Sequence, residues 1–511
     1  MGKYKPSEKT LVDFEIGISN NDLNLFSSVA DSNNSGVAGR IYAKQRLLSK
    51  KWEIDAFANY QFVQKEFKTI ERLFTIEFDR DWNLVNPLGN QSLLISGANF
   101  NLPGKGSAKY QLEKLDFSES FSGTRHVVDG LFRFKNLMIQ NSGSILKSDS
   151  DYSESTFIRH QSQARYHFNK NWVGGSFRLE DNEEKLKETN QFSVLSQRFH
   201  EFGAFIGRGD STKVFVEFGY LQRSNDSLVN GLIQKVNTSN SYYLKSRLLK
   251  TDKSDLSLFV NYRNLKFEDS NRKNEPSLNS RLLYNDRYFD QLIQVTTAYE
   301  TTSGTIPQQE FTYLKVEAGQ GIYVWIDYNN NNIQELEEFE IAQFSDQAEY
   351  VRIFLPNQIF IKTHQNKFSQ SVILNANQWQ NEKGFKKFLS YFYNQTSFLI
   401  DRKIIRDNAN FDLNPFSTSD DDLLGLNSSI RNSLFYNRGK QDHSVTLTYL
   451  RNRAKNLLSV GSQENNNRSY QFQYAHLLKK SWLFGFAGKT IESETISENY
   501  ASKNFELNGY Q

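Results

Sequence analysis

The densest set of oxygen ligands in the sequence runs from Tyr323 to Glu340, and its spacing suits a hard cation. Counting Asp327 as position 1, side-chain oxygens recur at Asn329, Asn331, Glu335 and Glu338, which are positions 3, 5, 9 and 12. The main-chain carbonyl of Ile333 falls at position 7. Twelve-residue calcium loops use this pattern, because the ion takes several oxygens and the last acid can bind through both of its own. Position 6, where such loops carry Gly, is Asn332, the next best residue for a left-handed turn. The expected cofactor is therefore calcium, held by Asp327, Asn329, Asn331, Ile333, Glu335 and Glu338. The competing reading is a solvated Asn/Glu-rich turn that binds nothing.

Other chemistry finds little support. The seven His (126, 160, 167, 200, 364, 443 and 476) are scattered, with no H-E-x-x-H spacing and no Gly-x-Ser-x-Gly elbow. His160 and His167 fall on one expected strand, seven residues apart and so on opposite faces. No phosphate-cradling glycine motif stands between a strand and a helix. Acidic neighbours such as Glu77, Asp79 and Asp81 read as the polar face of one strand, lining water or meeting arginines. Cysteine is absent, which removes thiol nucleophiles, disulfides and Cys-based zinc sites together. With 61 basic and 58 acidic residues and no basic block, nothing singles out nucleic acid. The reading is of a non-enzyme.

The elements that must position these residues are strands. Apolar residues are only 38% of the 511, yet aromatics reach 14%, with 41 Phe and 25 Tyr. Disordered chains of that polarity are poor in aromatics, so the combination fits strands with one apolar and one wet face. Alternation with period two recurs along most of the length. Val12, Phe14, Ile16 and Ile18 oppose Asp13, Glu15, Gly17 and Ser19. Trp52, Ile54, Ala56, Ala58, Tyr60 and Phe62 oppose Glu53, Asp55, Asn59 and Gln61. Phe74, Ile76, Phe78, Trp82 and Leu84 read the same way, with Arg80 breaking the apolar side. The longer runs reach about ten to fourteen residues, beyond soluble strands and matched to a tilted bilayer span. No apolar run approaches the ~18 residues of a membrane helix.

Connections alternate between tight turns, such as Asn169-Lys170-Asn171, and long polar loops, such as Asn20 to Gly36, Asp401 to Ser429, Ser459 to Asn467 and Glu492 to Ser502. That asymmetry belongs to outer-membrane barrels. Following it gives about 22 strands, with Thr124 to Lys147 as one long strand. The expected fold is all-β: a large antiparallel transmembrane β-barrel with a small β-rich insert carrying the calcium loop. Its parts are 1–300 and 367–511 for the barrel and 301–366 for the insert, which leaves on the long-loop side. Arg40, Lys44, Arg46, Lys245, Arg247, Glu53 and Asp55 would project inward. Trp52, Trp82, Trp172, Tyr393 and Trp482 suit interfacial girdles. Met1-Gly-Lys-Tyr-Lys-Pro-Ser7 leads directly into a strand and the sequence stops in mid-strand at Phe505–Gln511, as expected of a fragment.

Around the loop, Val324, Trp325, Asp327, Asn329, Asn331, Ile333, Gln334 and Glu338 resemble the calcium-binding repeats of SdrD-type surface adhesins. This covers about fifteen residues, and it implies a site alone. The Asn- and Phe-rich usage without Cys resembles surface proteins of the Bacteroidota. The phrase Glu71-Arg-Leu-Phe-Thr-Ile-Glu-Phe-Asp-Arg-Asp-Trp-Asn83 is similar to large outer-membrane proteins of that group. In general character the chain also resembles TonB-dependent transporters, without a recognisable plug domain, and the large translocon barrel of type IX secretion. These likenesses imply a Gram-negative outer-membrane protein surrounded by outer-membrane lipid; the functional expectation is a transport or secretion conduit with a calcium-stiffened extracellular or lumenal insert. The alternative is a non-conducting surface anchor whose insert and loops bind secreted or surface proteins. A soluble solenoid is disfavoured by irregular strand spacing.

Overall fold

The computed structural model describes residues 1–22, 34–327, 334, 338–406, 411–417, 422–440, 442–458, 461–479, 481–497 and 504–511. At 307–311, 354–359, 457–458 and 461 only the backbone is described. The fold class is the expected one, all-β and built on a large antiparallel sheet. Twenty-five strands are described, two of them three-residue pieces, against about 22 expected. The chain divides into two units. One holds Met1–Asp210, Glu217–Tyr243 and Arg263–Glu275; the other holds Ser211–Val216, Leu244–Tyr262 and Pro276–Gln511.

In the first unit every strand from Gly2–Ser7 to Gln197–Gly209 pairs antiparallel with the next along the chain. Neighbours such as Ser153–Phe168 and Asn171–Leu186 run 16 residues each. Their turn is two residues long, and Asn169 adopts φ 54° there, a conformation that Asn tolerates better than most residues. In the second unit the same up-and-down order runs from Glu275–Tyr288 to Phe505–Tyr510.

Alternation sorts the first unit's side chains onto two unlike faces. One carries exposed apolar groups: Phe14 pairs Ile41, Ile41 pairs Tyr60 and Tyr60 pairs Leu94, all four at least 41% exposed. Phe202, Ile206 and Val173 continue that face. The opposite face carries Glu113, Glu180, Glu184 and Glu217, each buried. Large apolar groups outside and carboxylates inside reverse the order of a water-soluble body. In the second unit Leu447 and Phe472 pair on an exposed apolar face, while Thr448 and Gln471 pair behind it.

Several expectations need correction. Thr124 to Lys147 is a hairpin of Phe121–Phe134 and Leu137–Ser150, because Lys135 takes φ 49° and closes a turn that contains neither Gly nor Pro. Phe74 to Leu84 is not a strand. Phe78–Trp82 is a five-residue helix, ended by Asn83 at φ 52°. Strands Gly461–Leu478 and Trp482–Ser497 occupy most of two stretches expected to be loops, at Ser459–Asn467 and Glu492–Ser502. Trp82 and Trp172 are no girdle residues; they are 1% and 3% exposed, Trp82 packed among apolar residues beneath Arg125 and Trp172 donating to Glu217.

Candidate functional site

The segment joining strand Glu53–Val63 to strand Gln91–Leu102 does not stay at the strand ends. It folds over the charged face of the first unit. The Lys68 backbone N–H donates to Ser19 Oγ at 2.9 Å, and Phe67 lies against Gly17 and Gly36. A Cβ at Gly36 would meet Phe67 backbone atoms at 2.1 Å, so only glycine permits this crossing. At the far end Asn83 Nδ2 donates to Asn182 Oδ1 at 2.7 Å and to Ser155 Oγ at 3.0 Å.

Trp82 anchors the segment in an apolar bed of Leu93, Leu115, Phe121, Leu146 and Phe157, one or more from each of five successive strands. Register explains the bed: Leu93 pairs Leu115, and Leu146 pairs Phe157 on the same face. Gly123, which pairs Leu115, leaves the room that the indole needs, since an added Cβ would stand 3.1 Å from it.

Beside the bed lies a lattice of charges. Asp81 receives Arg159 at 2.7 Å and faces Arg125 at 3.5 Å. Arg125 donates through Nε to Glu113 at 2.6 Å and lies 4.7 Å from the Trp82 ring centre. Gln111 also hydrogen-bonds Glu113. Arg80 reaches Glu180 at 2.5 Å and Glu77 at 3.2 Å. Partial burial would lower the Arg80 pKa, but the charges and hydrogen bonds of Glu180 and Glu77 outweigh it and hold the group above its ordinary value. Buried carboxylates persist only when paired in this way. A cavity of about 300 Å³ opens among Asp81, Glu113, Arg125, Arg159, Arg178 and Glu180. Its lining is mainly charged and polar side chains.

The expected meeting of acids with arginines therefore holds at Asp81, but from a helix and not from a strand. Of the expected inward charges, Arg46 and Lys44 both pair Asp55 at 2.9 Å, and Arg247 pairs Asp255. Glu113, Arg125, Arg159 and Glu180 were not singled out by sequence. Arg80, which interrupts the apolar alternation, was the available sign that 74–84 leaves the sheet.

The short strands flanking the expected calcium loop lie beyond the end of a long hairpin. Strands Ile293–Lys315 and Tyr350–Asn375 pair from Ile293 with Leu374 to Lys315 with Tyr350. The flanking strands stop earlier, at Thr301 and Thr363. Above, Tyr323–Trp325 pairs Phe339–Ile341, with Tyr313 stacked on Phe339 at 4.1 Å. Trp325 faces Phe339, and the Ile326 N–H donates to the Glu338 carbonyl at 2.9 Å, so the ladder brings positions 1 and 12, Asp327 and Glu338, to the base of one loop. Glu338 is 3% exposed and accepts the Trp325 indole N–H at 2.8 Å. Asn329, Asn331, Ile333 and Glu335 lie outside the described residues.

No protein-family model and no curated protein matches the sequence. Among solved structures, the siderophore receptor PirA from Acinetobacter baumannii is similar at 9% identity and a TM-score of 0.36, covering 96% of this chain and 76% of that one. The alcaligin outer membrane receptor FauA from Bordetella pertussis stands at 10% and 0.36, covering 99% and 76%. The outer membrane protein opdK from Pseudomonas aeruginosa stands at 9% and 0.27, covering 94% and 99%. Scores of this size do not fix the topology of this chain.

Proposed function

We propose that the chain is an outer-membrane β-barrel acting as a transport conduit and not as an enzyme, with the segment between Val63 and Gln91 as its constriction. The observation that carries this reading is the reversed polarity of the sheet. Exposed Phe14, Ile41, Tyr60, Leu94, Phe202 and Ile206 share one face, and paired charges fill the other. Lipid is the solvent that makes the first face stable, and water or ion pairs suit the second. Strands of 12 to 16 residues, such as Gln91–Leu102 and Asn171–Leu186, exceed the ~9–11 needed to cross at a tilt. Conductance of the protein in planar bilayers tests it. Wild type should give steady openings, and replacing 66–88 with a short Gly/Ser link should enlarge them several-fold. Silent membranes with both proteins would exclude a conduit.

The rival reading, a sealed surface anchor that holds secreted or surface proteins, is favoured by the charge lattice under the segment, since ion pairs can close a lumen. It predicts those silent membranes.

Calcium at the hairpin tip belongs to the same proposal. Its support is the placement of Asp327 and Glu338 at one loop base and the burial of the Glu338 carboxylate, which suits a charge neutralised by a cation. Bound there, the ion would stiffen the tip. Calcium should slow proteolysis between Tyr313 and Tyr350, and the double change Asp327→Ala, Glu338→Ala should abolish that protection. A digestion pattern indifferent to chelator would remove the metal.

A further inference from the structure

The charge lattice of the first unit does not balance. Around the cavity and its continuation stand five carboxylates, Glu77, Asp81, Glu113, Glu180 and Glu201, and six guanidiniums, Arg80, Arg125, Arg159, Arg178, Arg223 and Arg263. Four of the carboxylates are taken at hydrogen-bond distance: Glu180 and Glu77 by Arg80, Asp81 by Arg159 and Glu113 by Arg125. Glu201 meets Arg178 only at 3.8 Å. Among the described residues, neither Arg223 nor Arg263 has a carboxylate within ion-pair distance.

Arg223 is held in place all the same. Its Nε donates to the neutral Asn225 Oδ1 at 2.7 Å, and its guanidinium lies 3.6 Å from the centre of the Phe199 ring. Arg178 approaches the same ring at 5.8 Å, so two positive groups share one aromatic platform. Arg263 stands within electrostatic range of Arg223. Phe199 is buried and forms part of the cavity wall, as does Arg178. Half-buried like charges that outnumber their acids are unfavourable, and the contacts with Asn225 and Phe199 restrain Arg223 from turning away. The planar fork of an arginine matches oxyanions in two-pronged fashion, and about 300 Å³ is room for a small solute.

We infer that Arg178 and Arg223, which share the Phe199 ring, with Arg263 in electrostatic range of Arg223, form a binding station for small oxyanions, carboxylate or phosphate, on the face that the segment covers. The inference rests on reading that face as a wet passage, but equilibrium binding does not require conduction. Calorimetric titration of the detergent-folded full chain with citrate, and separately with inorganic phosphate, tests it. Binding of either is expected, and which of the two binds tells the carboxylate class from the phosphate class. The double change Arg223→Gln, Arg263→Gln should weaken the observed binding about tenfold or more, and Arg223→Lys alone less, because the charge stays while the fork is lost. The strand ladder is untouched by these changes, and unaltered heat-modified mobility on gels would confirm folding. No heat from either anion with wild type, or equal affinity in the double variant, would overturn the station. Binding without bilayer openings would keep the station and remove only the conduit.

Discussion

Trp82→Ala is expected to loosen the whole covering segment by about 3–5 kcal/mol, the usual cost of removing a buried aromatic. The indole is 1% exposed and fills the space between Leu93, Leu115, Phe121, Leu146 and Phe157, so its loss leaves a void that five strands of the sheet cannot close. Arg125, 4.7 Å from the ring centre, loses its aromatic cover at the same time. The sheet itself should survive, since its ladder bonds do not involve residue 82. The measurable result is new proteolytic cleavage between 64 and 90 with the rest of the chain intact, and larger or noisier bilayer openings. A segment as protease-resistant as wild type would mean that the polar links at Ser19, Asn182 and Glu180 hold it without the tryptophan. Gly123→Val should produce a milder version, because the added side chain would compete with the indole for its bed.

A pair of arginine substitutions gives the second large effect. Phe202 is 55% exposed near the middle of strand Gln197–Gly209, and it pairs Phe177 on the apolar face. Phe202→Arg should cost about 2–4 kcal/mol in folding into lipid bilayers, the range for a cation on the lipid face near the midplane. Gln163 pairs Ser176 on the opposite face. Gln163→Arg should change stability little and act on ion selectivity instead, as substitutions lining a lumen do. Refolding titrations in urea with vesicles would compare the two. Equal stabilities would mean that the apolar face does not meet hydrocarbon, and the membrane reading would fail with it.

Period-two alternation sufficed to read the class of fold, because in a strand every second side chain lies on one face whatever the chain does elsewhere. Phe14, Ile16 and Ile18 are exposed together for that reason, and Lys44, Arg46 and Asp55 meet on the other side. That Asp327 and Glu338 end near one another was also legible, since the two short strands flanking a single loop pair with each other. Turns without Gly or Pro were legible only in part: Asn169-Lys170 was read as a turn and Lys135-Asn136 was not. Lys135-Asn136 hides a hairpin because a positive φ there is imposed by the paired strands and not by a local preference.

The larger failure lies at 74–84, whose alternation imitates a strand while the residues fold as a short helix. Arg80, Asp81 and Asn83 find their partners at Glu180, Arg159 and Asn182, 78 to 100 residues away in sequence. No local pattern encodes a contact of that separation. Which acid meets which arginine depends on the register of seven strands laid side by side, and so does the surplus of positive charge at Arg223 and Arg263. Sequence determined that the sheet has a greasy and a wet side; only the tertiary structure decided what lies across the wet one.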